Sequence, residues 1–490
     1  MADDTFCIMT NKPNIIFILI DDMGWRDLSC YGSAFYESPN IDRLAQEGMV
    51  FTDAYASCPV CSPTRASCMT GRYPARLGIT DWIDHKGAMH PCKGRLVDVP
   101  YLKQLPLTER TVADALREGG YTTWHAGKWH LGGKEYWPEH HGFDVNIAGC
   151  EWGHPFNGYF SPWGIPNYPD GKPGEHMTDR LTDEVIKLIK NNQEEANRKP
   201  FYLNLWFYDV HTPIQGKPEL IEKYKAKAKR MGLDTVQAMV EGELYSCEHK
   251  KGQRVVRRVI QSDPVYAAMI ETLDTNVGRI VATLQELGIR DDTMIVFTSD
   301  NGGLSTSEAS PTSNAPLAEG KGWMYEGGVR EPLIASWPGH IPAGTRCSVP
   351  AISTDFFPTF LDAAGLPLEP EAHTDGVSLM PILKGGVALD REALYWHYPH
   401  YGNQGGTPGS SIRAGNYKLI EFFEDGMVEL YDLSSDPSER YDLSERLPTV
   451  TARLKGLLLK WRQSVEASIP QPNPGFVPWG PARSEVKRFE

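Results

Sequence analysis

Two short runs constrain the fold of this chain more than anything else in it. Asn14-Ile-Ile-Phe-Ile-Leu-Ile20 and Thr293-Met-Ile-Val-Phe-Thr298 are apolar without alternation, and each stops at an oxygen-rich turn, Asp21-Asp22-Met23-Gly24 and Asp300-Asn301-Gly302-Gly303. Runs this short, rich in β-branched and aromatic residues, read as strands, and with no polar face they must be covered on both sides. A parallel sheet with helices on either face meets that demand. Similar runs at 201–207 and 333–337 alternate with helical stretches near 39–47, 111–118, 178–191 and 265–287. The succession predicts an α/β fold on a large mixed, mostly parallel sheet flanked by helices.

Local signals bound some of these elements. Ser38-Pro39 and Gly48 bracket a helix with a first-turn proline and a terminal glycine, and the spacing from Thr111 to Asp114 predicts a capping box. Asp355 to Gly365 reads as a further capped helix. Past Lys384-Gly385-Gly386 the texture changes: segments at 411–413, 417–423 and 427–431 alternate as antiparallel strands around glycine turns, and a helix near 448–465 covers them. This divides the chain into an α/β catalytic domain, 1–385, and a smaller C-terminal α+β subdomain of antiparallel sheet plus helix, 386–490, contributing to the substrate pocket.

In open parallel sheets ligands sit beyond the carboxyl ends of the strands. Asp21, Asp22, Asp300 and Asn301 would meet there and offer hard oxygen donors suited to Ca²⁺ or Mg²⁺. One such pair alone is more often a turn; two such pairs, taken together with the Cys61 segment, tip the balance towards a metal. Residues 61–72 read Cys61-Ser-Pro63-Thr-Arg65-Ala-Ser-Cys68-Met-Thr70-Gly71-Arg72. Cysteine is commonly a small buried hydrophobe, and Cys58-Pro-Val-Cys61 invites a metal reading. Neither accounts for Pro63, Arg65 or Thr70-Gly71-Arg72, and no second paired cluster completes a zinc site. Lys128 and His130, in Gly127-Lys128-Trp129-His130-Leu131-Gly132, are two apart and on an extended segment would point to one side. His211 follows the strand candidate at 201–207, and Lys321 lies in Gly320-Lys321-Gly322-Trp323 ahead of Gly327-Gly328, a pair suited to tight backbone turns.

Five separated blocks in this order, spanning Asn14 to Pro332, resemble the formylglycine-dependent (type I) sulfatases of the alkaline phosphatase-like superfamily. The resemblance implies that Cys61 is matured to 3-oxoalanine (formylglycine), by a formylglycine-generating or anaerobic maturase enzyme, and that the hydrated aldehyde is the nucleophile. It implies one Ca²⁺ per chain, held by Asp21, Asp22, Asp300 and Asn301. It gives Arg65 and Asp300 the task of fixing and activating the attacking hydroxyl, places Lys128 in the active site as part of its positive focus, gives Lys321 contact with the sulfate and leaving oxygen, His211 with Lys321 the task of protonating that oxygen, and His130 that of the base that releases sulfate. A phosphonate or phosphate diester hydrolase of the same superfamily, and an arylsulfatase without sugar specificity, are the alternatives.

A sulfated sugar or oligosaccharide is the expected substrate. Glu151-Trp-Gly-His154-Pro-Phe156 and Tyr395-Trp396-His397-Tyr398-Pro-His400-Tyr401-Gly-Asn403-Gln404-Gly-Gly406 mix aromatic rings with imidazole and amide groups, so His154, Trp396, His397 and His400 are candidate substrate residues; Trp396 and Tyr398 would serve equally to pack the seam between the two parts. The net charge of −14 gives a nucleic-acid partner no electrostatic support, and an anionic substrate must then be drawn by a local site. No apolar run reaches the length of a membrane span. The first twelve residues lack the charged and apolar regions of a signal peptide, which leaves either a cytoplasmic protein or an exported one trimmed of its leader. Of nine cysteines, several are expected to be free and buried.

Overall fold

A computed structural model describes residues 12–85, 87, 91–196 and 198–486; the reading of the N-terminus as lacking a signal peptide therefore falls on residues that are almost all outside the described ones. Strand β1, Asn14–Ile20, occupies the middle of the main sheet, between the parallel strands Phe201–Trp206 and Thr293–Ser299. Across the sheet the order is Thr345–Cys347, β2 (Met49–Tyr55), Arg330–Ser336, Thr293–Ser299, β1, Phe201–Trp206, Thr122–Gly127 and Val145–Ile147. Arg330–Ser336 alone runs antiparallel to its neighbours.

The expectation that β1 is covered on both sides holds residue by residue. Ile16, Ile18 and Ile20 enter one core with Ile41 and Leu44 of helix α1 (Pro39–Gln46), Leu181 and Val185 of Met177–Glu194, and Leu273 and Val277 of Pro264–Glu286. Ile15, Phe17 and Leu19 enter the other with Ala66 and Met69 of helix α2 (Cys61–Thr70), Leu116, Phe356 and Phe360. Each such side chain contributes about 1.5–3 kcal/mol by burial, so alternate residues of one strand hold two helical layers to the same sheet.

Two local expectations change. Ser38 makes no side-chain cap on α1; the amides of Asn40 and Ile41 donate instead to Asp274, at 3.0 and 2.8 Å, from a helix far along the chain. Gly327 and Gly328 are not at positive φ. They are needed for close approach, because a Cβ on Gly328 would lie 1.9 Å from the Trp323 carbonyl oxygen and one on Gly327 2.4 Å from that of Ala318. The Thr111–Asp114 capping box is formed as read.

The C-terminal sheet has four antiparallel strands, Leu394–Tyr398, Gly409–Ala414, Tyr417–Phe422 and Val428–Asp432, covered by the helix Pro448–Ser464. Its apolar face shares a core with Tyr55, Val329 and Ile352 of the larger part. Among the described residues no helix is long and apolar enough to cross a membrane.

Candidate active site

Because β1, Phe201–Trp206 and Thr293–Ser299 lie side by side and parallel, whatever follows them converges at one end of the sheet. Backbone bonds lock the three exits together: Asp300 N–H donates to Ile20 O at 3.1 Å, Asp21 N–H to Asp209 O at 2.8 Å, and Val210 N–H to Asp21 O at 2.7 Å. Asp22, at φ 65°, turns its N–H onto Asp300 Oδ1 at 3.2 Å. Asn301 spends both amide protons, on Asp22 Oδ1 at 2.8 Å and Gly302 O at 3.1 Å. Its own Oδ1, and Oδ1 of Asp21, are buried without a hydrogen bond.

Three cations close on these carboxylates. Arg65, fully buried on α2, directs Nε and Nη2 to Asp300 Oδ2 at 2.9 and 2.7 Å and Nη1 to the Lys128 carbonyl at 3.0 Å. Lys128 Nζ donates to Asp21 Oδ2 at 2.7 Å, and Lys321 Nζ to Asp22 at 2.8 Å. Burial would lift the Asp22 carboxyl, but Lys321 and then His211 outweigh it and hold it well below the usual range. Burial dominates at Asp21 and pushes it up despite Lys128.

This donor set fits a hard divalent ion. Three carboxylates and an amide carbonyl are gathered at the ends of neighbouring strands, two of them carry buried oxygens with no hydrogen bond, and Asp21, Asp22 and His211 place ligand atoms within 4.8 Å of one another. The three carboxylates and three cations balance, so a bound dication leaves the cluster positive and attractive to an anion. Glu331 lies near the cluster, its carboxyl raised well above the usual range by burial and then by the charge of Asp300.

Cys61 is the first residue of α2 and lies beside this cluster. Its Sγ is 3.3 Å from His130 Nδ1. His130 Nε2 lies 2.9 Å from the Ile83 carbonyl, to which it donates, leaving the Nδ1 lone pair facing Cys61. Burial, and then Lys128, keep this imidazole neutral. Burial also raises the Cys61 thiol above its ordinary value, so the site does not sustain a thiolate nucleophile. His211 donates from Nδ1 to the Thr212 carbonyl at 2.9 Å, and its Nε2 is 3.1 Å from Lys321 Nζ. The transferable proton of that pair sits on the ammonium.

Cys61, His130, His211 and Lys321 line one cavity of about 480 Å³. Arg65 and Lys128 form its fully buried support through Asp300 and Asp21. Lys128 and His130 both reach the site, though not by strand alternation: the strand ends at Gly127, and His130 adopts φ 58°. His154 lines the cavity, its ring parallel to that of His211 with centroids 5.5 Å apart. Trp396, His397 and His400 do not line it. Trp396 donates to the Ala56 carbonyl at 2.7 Å, His397 bonds Ser410 and Ser468, and His400 bridges Asp98 and Thr80. The cavity wall adds Trp152, Asn403 and Gln404, which lie in the two segments read as sugar-binding, and Trp82, Asp84, His85 and Glu308, which the sequence reading did not select. The one signal was position: Asp81 to His85 follows the Cys61 segment closely and carries an aromatic, two acids and a histidine. A larger groove of about 770 Å³, near Glu47, Arg290 and His340, lies at the amino end of Thr293–Ser299, away from this chemistry.

The sequence model of the sulfatase family matches residues 13–366, and that of the N-sulphoglucosamine sulphohydrolase C-terminal region matches 319–464. The N-acetylgalactosamine-6-sulfatase of Sus scrofa is 31% identical over 96% of this chain and 91% of its own. Arylsulfatase A of Homo sapiens is 33% identical over 92% and 88%. Among solved structures, Ps i-CgsB in complex with k-i-k-neocarrahexaose superposes with a TM-score of 0.73 at 28% identity, covering 92% of this chain and 93% of that one. The phosphonate monoester hydrolase of Agrobacterium radiobacter, at 22% identity over 93% and 96%, shares the fold with a TM-score of 0.60.

Proposed function

The chain belongs to the sulfatase family, enzymes that hydrolyse sulfate esters, and from that premise we propose that it removes sulfate from a sulfated sugar, with Cys61 in its formylglycine form as nucleophile and Asp21, Asp22, Asp300 and Asn301 around a calcium ion. One observation carries the reading: Cys61 stands 3.3 Å from a neutral His130 whose lone pair faces it, in a cavity that His211 and Lys321 also line. Hydrated formylglycine would supply an oxygen nucleophile with a second hydroxyl, and calcium would add positive charge at the sulfuryl oxygens.

The chain's own residues divide the remaining work. Arg65 and Asp300, joined by two contacts, hold the groups around position 61 in place. Lys128 and Lys321 face the developing charge on the sulfuryl group. His130, with its tautomer set by the Ile83 carbonyl, takes up a proton at Nδ1. The His211–Lys321 pair delivers a proton to the departing sugar oxygen. Positioned groups of this kind typically contribute about 10²- to 10⁴-fold each.

The cavity wall supports a sugar over a plain aryl sulfate. Trp82, Trp152 and Phe156 give apolar faces, while Asp84, Glu151, His154, Glu308, Asn403 and Gln404 give hydrogen-bonding groups. One relative is an N-acetylgalactosamine-6-sulfatase, and one structural neighbour holds a neocarrahexaose. The walls of the pocket come from both parts of the chain, which supports a C-terminal region, 386–490, that shapes specificity.

The test is a parallel assay of protein produced with a maturation enzyme. A panel of sulfated monosaccharides, nitrophenyl sulfate, and the matching phosphate and phosphonate esters should show turnover of at least one sulfated sugar above all phosphorus esters. Preference for a phosphonate or phosphate diester would overturn the assignment.

A further inference from the structure

One cluster of chemistry-bearing side chains lies outside everything described so far. Cys92, Cys247 and His249 converge from two distant segments. Sγ of Cys92 is 3.1 Å from His249 Nδ1, Sγ of Cys247 is 3.8 Å from Nε2, and the three residues offer ligand atoms all within 4.8 Å of one another. The approach is held by the backbone: Glu248 N–H donates to the Lys93 carbonyl at 2.7 Å, and Lys250 N–H closes the turn onto Cys247 O at 3.2 Å. Both thiols are buried, while His249 is exposed and gives access from solvent.

We propose that Cys92, Cys247 and His249 form a second metal site, for a borderline-soft divalent ion such as Zn²⁺, distinct from the oxygen cradle at Asp21 and Asp22. Two sulfurs and one imidazole are a donor set for zinc and a poor one for calcium. With Zn–S near 2.3 Å and Zn–N near 2.0 Å, tetrahedral ligands stand about 3.6 Å apart; Cys92 Sγ is 3.1 Å from His249 Nδ1, close to that spacing, and one ligand atom from each of the three residues lies within 4.8 Å of the others, so binding needs only a small adjustment of the imidazole and Cys247. With the ion on Nδ1 the fourth position is left to water, and Asn403 Oδ1, 3.4 Å from Nε2, faces the nitrogen that does not bind. A cation would replace the protons shared among these three groups. Buried cysteines packed as small hydrophobes need no imidazole between them, and a cysteine pair poised only to oxidise needs none either.

The ion would cross-link the loop at Cys92 to the hairpin formed by Met239–Leu244 and Arg254–Arg258. Beside it, Lys250 donates to the Asn403 carbonyl at 2.7 Å and to Ser307, and Asn403 and Gln404 both donate to Glu308 in the pocket wall. Occupancy therefore stiffens one rim of the substrate cavity without touching the reacting groups.

The test uses full-length protein in a Cys61→Ala background, which removes the pocket thiol as a competing ligand. After exposure to ZnCl₂ and exhaustive dialysis, about one zinc per chain should be retained. Cobalt in its place should give a tetrahedral visible spectrum with a thiolate-to-cobalt band in the near ultraviolet. Cys92→Ser and Cys247→Ser should each lose the zinc equivalent and that band, whereas Cys30→Ser keeps both. Zinc absent after dialysis, zinc retained by both serine variants, or a Cys92–Cys247 disulfide in freshly purified protein overturns the proposal. If either variant fails to fold, the cobalt spectrum of the parent decides: a thiolate band supports the site, and its absence refutes it.

Discussion

Asp21, Asp22 and Asp300 face Arg65, Lys128 and Lys321 at the carboxyl end of the main sheet; Asp53, Glu326 and Glu439 face Arg330, Arg413 and Lys418 where the two sheets meet. The two clusters hold the same number of charges, are buried alike, and each comes out neutral. They differ in where they stand. At the seam, Lys418 takes Glu326 Oε1, Tyr55 and Arg330 take Oε2, Arg413 and Arg330 divide the Asp53 oxygens, and Glu439 accepts from the Glu326 amide at Oε2 while its Oε1 is ion-paired with Lys418 but not hydrogen-bonded. At the strand ends, Asp21 Oδ1 and Asn301 Oδ1 have no hydrogen bond. A buried ion cluster is thus no sign of function by itself, since a well-paired one only joins two surfaces. What sets the strand-end cluster apart is its place: its unspent oxygens belong to residues beside Cys61, and its Lys321 reaches the wall of the cavity, whereas no residue of the seam lines it.

The contrast breaks most sharply at Cys61. Cys61→Ala should lower turnover by at least about 10⁴-fold with an unchanged melting temperature, read by initial rates and calorimetry; full activity from unmodified thiol would remove the distinction altogether. Next, chelation should cost about 10²- to 10³-fold in kcat and be reversed by added calcium, while Asp300→Asn should be impaired to a similar degree and gain nothing from calcium. Full activity in metal-free protein would make the two clusters equivalent. His211→Ala sharpens the picture inside the site: about 10²-fold or more should be lost on sugar sulfates and distinctly less on nitrophenyl sulfate, whose leaving group needs little protonation. His130→Ala should slow both substrates alike.

The seam should answer in stability instead. Lys418→Met strands Glu326 and Glu439 as buried charge and should cost about 3–5 kcal/mol in denaturant unfolding, with kcat per folded molecule within about twofold of the parent. Burial alone would raise the Glu326 carboxyl, but Lys418, Arg330 and Arg413 outweigh it and lower it to about 2. Its stabilising contribution is therefore complete above the ordinary carboxylate range and lost as the pH falls towards 2, and Lys418→Met should flatten that acid limb of the stability curve.

Much of the scaffold was readable because one physical demand wrote it. β1 and Thr293–Ser299 are buried on both faces, and only strands without alternation satisfy that. Asp21, Asp22, Asp300 and Asn301 could be placed together because parallel neighbours share a carboxyl end. What was not readable depended on distance across the fold. Asp274 caps α1 from 234 positions away, and no local pattern announces it. Trp396, His397 and His400 have the composition of a sugar site, yet composition cannot separate a pocket wall from a core: Leu394–Tyr398 is a sheet strand whose Trp396 and His397 are consumed by Ala56, Ser410 and Ser468, and His400, just past its end, is consumed by Asp98 and Thr80. Trp82, His85 and Glu308 reach the cavity from loops, which carry no periodicity to follow. Cys92 and Cys247 are likewise brought together by tertiary structure alone.

Helix α2 is buried at every one of its ten residues, with Pro63 and Arg65 sealed beneath the sheet and only the Cys61 end open to the cavity. If Cys61 is modified as proposed, an enzyme that had to grip the chain around it would not find that segment accessible in the folded protein. Chemistry at Cys61 would then have a place in time as well as in space, on the nascent or unfolded chain, before the sheet closes over α2. A host that folds this protein faster than it modifies it would accumulate a stable, soluble and permanently idle molecule, and only unfolding would give it a second chance.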